Sequence, residues 1–375
     1  MKLSTIKRLW IFPFLFGLLG AFIGLVLRFA FTGNIAGFPF KYVLHSHSHV
    51  MLLGFVLNSF VVLLWTQFTD EIDKKSYKLY MALQGCMAIL LVAFIIQGYA
   101  FVTILFSTLH LWISYVLLIR LWKRLTIEGS TLSLIKLGII FHFIASIGPY
   151  ALGPLMALEM QESPWYQQAI FFYLHFQYFG SFFLWMLAIL FHQLKVTLSK
   201  RQIGVVVVSI VLLYAHTLVY NFNHRLLQIS GVLGAVLLLG FILGLKEHLL
   251  KKNLKYKIIY QIILLIALLN CLGSTTYMAD LVSENRFVLI AWLHLLFLGL
   301  YLPFIWILSR IKIAKWIWIV YALALIASEI ILVFPATASS FFSTSVMWLL
   351  FLSYLGVVLC ISIVHLKTLV ELFKK

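Results

Sequence analysis

The stretch Tyr42-Val-Leu-His45-Ser-His47-Ser-His49-Val-Met-Leu-Leu-Gly54-Phe55 continues through Val-Leu-Asn-Ser-Phe-Val-Val-Leu-Leu-Trp65 without a charged residue. Its length matches the roughly 20 apolar residues that a helix needs to cross the hydrocarbon core of a bilayer. Three histidines crowd one end, so this helix carries polar chemistry close to an interface. The rest of the chain has the same character. Of its 375 residues 63% are hydrophobic and 10% charged, with a mean hydropathy of +1.07, more apolar surface than a water-soluble interior can hide.

Scanning outward from 43–65 gives eleven further runs of this kind, near 9–31, 78–97, 99–121, 132–153, 168–192, 202–220, 226–245, 257–279, 287–308, 314–334 and 343–366. The tightest link is the one at Gly98, between the third and fourth runs. The sequence therefore predicts an all-α polytopic transmembrane bundle of about 12 spanning helices, forming a single integral membrane domain over residues 1–375. Of the 28 Lys and Arg, only Arg28, Lys41, Arg225 and Arg286 fall outside the termini and the even-numbered links. Cationic links are retained in the cytoplasm, so both termini are expected there, in a multi-pass protein of the inner (cytoplasmic) membrane. The net charge of +17 reports this topology, and no nucleic-acid partner is expected. The basic start of the chain followed by a full-length apolar run without a small-x-small site reads as a retained first span. Cys86, Cys271 and Cys360 lie singly inside apolar runs, so no disulfide framework, thiolate zinc site or c-type haem attachment is indicated.

Ionisable and metal-ligating side chains inside spans are costly, and they are functional candidates. On the expected topology His45, His47 and His49 lie in the second span, His110 in the fourth, His142 in the fifth, His175 in the sixth, His216 in the seventh and His294 in the tenth. At 1.5 Å per residue, His49, His175 and His294 fall about 10 Å below the outer boundary, with His110 and His142 near the midplane. These eight histidines form a layer in the outer half. His192, His248 and His365 are placed at the cytoplasmic edge, and His224 in an outer link. Neutral imidazole suits iron or copper in a dry site; each histidine taken alone can equally be a core residue bonded to a carbonyl or tyrosine.

At about 100° per residue, His45 and His49 share a helix face while His47 points nearly opposite. One span can thus serve two neighbouring centres. The sixth span sets His175, Gln177 and Tyr178 in an aromatic run, and Tyr220 follows His216 by one helical turn. Glu329 is the only carboxylate well inside a run, where it can be a neutral core acid or a proton or ligand partner. Arg28, near the outer end of the first span, can pair with an anionic group or snorkel to the headgroups.

The run His47-Ser-His-Val-Met-Leu-Leu-Gly-Phe55 is similar to the His-x-His-Glu-Met-x-x-Gly-Phe patch of the NnrS family, with Val50 in place of its Glu. Trp292-Leu-His-Leu-Leu-Phe-Leu-Gly299 resembles a later His-bearing helix of that family and of the haem-copper oxidase catalytic subunits. The resemblance extends to the count of twelve spans. It implies a haem, b-type, held by one of His45, His47 or His49 with His294, whose propionate is the anionic group that Arg28 can pair with instead of snorkelling. It also implies a second metal, copper, at His175 and His216, with His110, His142 or the second-span cluster supplying missing ligands. The seventh span lacks the adjacent His-His pair of the oxidases, and the tenth has one histidine where they carry two. These departures weigh against O2 reduction coupled to proton pumping and leave the haem site standing.

The expected function is an integral membrane haem or haem-copper protein in electron transfer or in O2 or NO handling. Its activity, if enzymatic, would be oxidoreductase chemistry of the haem-copper oxidase or nitric oxide type, and its partners the lipid bilayer with an electron donor or other respiratory-chain subunits. Two other classes compete. A secondary transporter would use the histidines for a metal or solute cargo, and a haem or copper assembly factor would hold its metal transiently. Transporters are commonly built from repeated halves with broken helices, and no half-to-half similarity is evident here.

Overall fold

The computed structural model describes residues 8–222, 224–251, 253–309, 311–341 and 345–374. Among these residues every regular element is helical. Twelve helices are long and apolar enough to cross a membrane: Ile11–Ala30, Phe40–Phe68, Lys74–Gln97, Phe101–Trp122, Gly129–Ala157, Pro164–Leu194, Lys200–Val219, Arg225–Gly244, Leu254–Gly273, Arg286–Leu308, Lys315–Val333 and Val346–Phe373. Each overlaps one of the twelve runs read from the sequence, and they are called here the first to twelfth spans. The protein is thus an all-helical, multi-pass membrane protein, with a bilayer as its environment.

The chain divides into two compact units, Met1–Arg124 with Phe297–Lys375, and Leu125–Leu296. In the first unit the first span packs against the second and the twelfth, the third lies between the second and the fourth, and the eleventh covers the twelfth. In the second unit the fifth span packs along the sixth, and the seventh, eighth and ninth follow side by side. The second and sixth spans are the most buried, at 83% and 94% of their apolar windows, so each lies at the core of its unit. Their neighbours present apolar faces outward, as lipid-facing helices do.

Three spans change helical winding at the same relative point. The second is α-helical through Phe40–His49 and then π-helical over Val50–Leu57, and the sixth does the same at Pro164–His175 and Phe176–Phe182. In the tenth, Arg286–His294 is followed by the π-helical segment Leu295–Tyr301. Each wide segment begins directly after a histidine and contains a glycine five residues beyond it: His49 and Gly54, His175 and Gly180, His294 and Gly299. The sequence shows no half-to-half repeat, and the structure reveals a recurrence every four spans. The packing recurs as well. A Cβ on Gly54 would lie 3.0 Å from Phe16 of the first span, and one on Gly180 would lie 2.7 Å from Phe141 of the fifth. In both units the glycine lets the span before the π-helical one approach closely.

Local chemistry sets the ends and bends. Gly98 takes φ +60° between the third and fourth spans, a conformation that favours glycine, and Thr103 closes the hairpin by donating to its carbonyl at 2.9 Å. Asp73 caps the third span by accepting from the amides of Lys75 and Ser76 at 2.9 and 3.1 Å. The fifth span bends at Ser146 and the seventh at Tyr214, where one helix stops and the next begins. The ninth run, expected to reach 279, ends at Gly273, and a short helix Thr276–Glu284 follows.

Candidate functional site: the histidines and their polar neighbours

The second span presents its histidines on two faces, as the helical spacing predicts. His45 and His49 face the turn between the third and fourth spans: the His45 ring centroid lies 4.6 Å from that of Tyr99, and the His49 ring 4.4 Å from that of Phe94. The Nδ1–H of His49 donates to the His45 carbonyl at 2.8 Å. That bond holds the ring against its own helix and leaves Nε2 as the nitrogen with the lone pair, 3.5 Å from the Tyr99 hydroxyl.

His47 faces the first span. Its Nδ1–H donates to the Gly20 carbonyl at 2.9 Å, so its lone pair is also on Nε2. A Cβ on Gly24 would lie 2.8 Å from the His47 ring and 2.8 Å from the Tyr354 hydroxyl. One turn beyond Gly24, the Arg28 guanidinium lies over the Tyr354 ring, 5.5 Å from its centroid. Arg28 is buried, and its Nη2 is 3.9 Å from Glu329 Oε1 without a hydrogen bond. Ser328 donates to the same Glu329 oxygen at 3.2 Å. His47, Arg28, Glu329 and Tyr354 thus form a polar cluster on the first, second, eleventh and twelfth spans, which gives Arg28 a carboxylate neighbour that sequence reading does not pair with it.

His110 is buried in the fourth span, which packs on the third. In the second unit His142 is buried in the fifth span and donates Nδ1–H to Gln177 Oε1 at 3.1 Å. His175 is buried among Phe176, Tyr178, Phe179 and Tyr214. Its Nε2–H donates to the Ile210 carbonyl at 2.9 Å, and Nδ1 keeps the lone pair. Ile210 lies one turn before the bend at Tyr214, so this bond serves a carbonyl next to the helix break. Gln168 donates to the Thr217 carbonyl across the same break at 2.6 Å and accepts from the Tyr214 hydroxyl at 3.1 Å. His216 Nε2 lies 2.8 Å from Ser274 Oγ. The Tyr220 side chain, expected beside His216, lies outside the described residues. His294 is half-buried at the junction of the two windings in the tenth span.

His365, expected at the cytoplasmic edge, is fully buried in the twelfth span, against Phe14 near the start of the first span, Phe55, and Trp306 near the end of the tenth. The span runs to Phe373, farther than the apolar run, because Lys367 and Glu371 fall on its exposed side. Nδ1–H of His365 donates to the Phe14 carbonyl and Nε2 accepts from Trp306, both at 3.1 Å. Both ring nitrogens are in use, as expected of a structural histidine. His224 is structural too, its Nδ1 accepting the Leu226 amide at 3.3 Å at the start of the eighth span.

Among the other intramembrane polar residues, Asn58 and Gln84 exchange two amide hydrogen bonds, at 2.8 and 3.2 Å, between the second and third spans. Such a contact contributes about 0.6 kcal/mol in a membrane. Outside the spans, the Asp73 carboxylate accepts from Arg120 at 2.8 Å and from the Ser76 hydroxyl at 2.6 Å, and Arg124 lies 3.1 Å away. Burial alone would raise its pKa, but the bonds from Ser76, Arg120 and Lys75 outweigh that and hold it below the usual carboxylate value. Among the described residues no three His, Cys, Asp or Glu side chains are grouped to hold a metal ion. No protein-family model and no curated protein matches this chain.

Proposed function

We propose that this protein is an integral membrane haem protein that handles electrons or a diatomic gas, O2 or NO. The observation that carries the reading is the coincidence of His49, His175 and His294 with the start of all three π-helical segments. A π-helical turn is rare and less stable than an α-helical one, and it is found preferentially at functional sites. A histidine at each onset is the residue type that binds haem iron axially.

The donor set fits such a group. His47 and His49 each hold Nδ1–H on a backbone carbonyl, the second contact that orients a ligating imidazole and makes it more basic. Arg28 offers a buried N–H without a hydrogen bond, suited to a propionate carboxylate. On this reading His47, on the Arg28 side of the second span, and His294, at the π-helical onset of the tenth, are candidate iron ligands, each considered on its own span. His45 and His49 line the opposite face. When bound, haem supplies a one-electron couple and an iron site for a gas, and the apolar spans around the histidines exclude water and so set its potential. Copper, where present, would draw on histidines of the second unit, His142, His175 or His216. The orientation with both termini in the cytoplasm of an inner membrane, and an electron donor or respiratory partner, belong to the same proposal.

The bends at Ser146 and Tyr214 favour a second reading, a secondary transporter, since broken helices with carbonyls served by side chains mark transport sites. The two are separated by a reduced-minus-oxidised optical spectrum with metal analysis of the protein purified from haem-replete cells. Sharp haem bands with about one iron or more per chain support the haem reading. A colourless, iron-free protein overturns it and leaves the transporter.

A further inference from the structure

The π-helical segment of the sixth span carries two buried polar atoms, Gln177 Nε2 and Ser181 Oγ, that find no hydrogen-bond partner among the described residues. Gln177 and Ser181 are both 0% exposed. Gln177 Oε1 accepts from His142, which directs the amide nitrogen away from that ring, and this Nε2 has no hydrogen-bond partner. Ser181 Oγ has none either. Several buried hydroxyls in other spans bond back to their own helix, Ser209 to the Val206 carbonyl, Ser362 to Val358 and Thr368 to Val364, all at 2.7 Å, whereas Ser59 of the second span does not. Ser181, inside the π-helical segment, does not either. Four residues apart on one helix, Gln177 and Ser181 share a face.

Buried polar atoms in native proteins almost always have a partner, and ordered water supplies it where the chain does not. We propose that Gln177 and Ser181 hold one small uncharged hydrogen-bonding molecule, water or a diatomic gas, between the fifth and sixth spans. Its size follows from the packing. A Cβ on Gly138 would collide with Trp185, and one on Gly180 with Phe141, so the two helices are too close to admit a planar cofactor. Its neutrality follows from the neighbours. Gly138, Phe141, Gly180 and Trp185 carry no ionisable group, and Trp185 spends its N–H on the Ile135 carbonyl at 3.2 Å. Gln177 donates and Ser181 donates or accepts, so water fits both groups and a bound gas is met by two donors.

The test is Ser181→Ala in the full-length protein in detergent. An empty site predicts a higher melting temperature for the variant, because a buried hydroxyl without a partner is removed. An occupied site predicts a fall of several degrees. A cryo-EM map showing density within hydrogen-bond distance of both Gln177 Nε2 and Ser181 Oγ supports the proposal independently of any variant. A rise or no change in melting temperature, or a map without that density, overturns it. Nitric oxide is the probe for the gas arm, which rests on the proposed function. An N–O infrared band that shifts in Gln177→Leu assigns the site to gas. A stable protein with the water density and no such band assigns it to water, whether or not haem is present.

Discussion

Trp306 donates its indole N–H to Nε2 of His365 at 3.1 Å, within one hydrogen bond of the Phe14 carbonyl held by Nδ1 of the same ring. This pair joins the tenth, twelfth and first spans through a histidine with no nitrogen left for a metal. It separates a structural histidine from those whose second nitrogen keeps its lone pair, a distinction that composition and span position do not make.

His365→Ala is accordingly expected to cost about 2–4 kcal/mol, from the cavity and from the Trp306 N–H left without an acceptor. It leaves any haem spectrum unchanged. Thermal unfolding followed by tryptophan fluorescence, with an optical spectrum of the same sample, checks both halves.

On the proposed haem reading, His294→Ala and His47→Ala are each expected to alter the haem spectrum, whereas His248→Ala, at an exposed position of the helix Lys246–Leu250, leaves it intact. Equal spectra for the three variants would sink the axial assignment.

The Arg28 and Glu329 pair is long, at 3.9 Å, with Arg28 buried and Glu329 partly so. Arg28→Met alone leaves a carboxylate in an apolar setting and is expected to cost about 3 kcal/mol, while Arg28→Met with Glu329→Leu recovers most of that loss, since breaking a buried pair is worse than replacing it. A double-mutant cycle on unfolding measures the difference.

Asp73 gives the pH dependence its sign. Its pKa is depressed in the folded protein, so its contribution is complete above the unfolded carboxylate value of about 3.9 and is lost as pH falls below that. Asp73→Asn is expected to cost about 1 kcal/mol near neutrality, given the partial exposure of the arginines. Melting temperatures of wild type and variant should converge as pH drops below 4. A constant gap between them would contradict the assignment.

Two glycines test close packing. A Cβ on Gly234 would meet the Leu213 backbone nitrogen at 2.8 Å, whereas one on Gly20 would meet the movable end of the Met51 side chain. Gly234→Ala is expected to lose about 1–3 kcal/mol and Gly20→Ala less than about 1 kcal/mol, read from detergent-induced unfolding curves.

All twelve spans were legible from the sequence because crossing a bilayer imposes a length and a composition on each segment separately, with no need of its neighbours. The opposition of His45 and His49 to His47 was legible for a similar reason, since it depends only on the pitch of one helix. The winding after His49, His175 and His294 was not. A π-helical turn is stabilised by how its span packs, here by Gly54 against Phe16 and Gly180 against Phe141, and the shared His-x-x-x-x-Gly spacing is too short to stand out against an apolar background. The burial of His365 and the pairing of Arg28 with Glu329 also waited on the fold, because they join the first span to the eleventh and twelfth. Segment by segment, hydropathy determined what enters the membrane. Which polar groups meet inside it depended on contacts between spans far apart in the chain, and only the tertiary structure decided those.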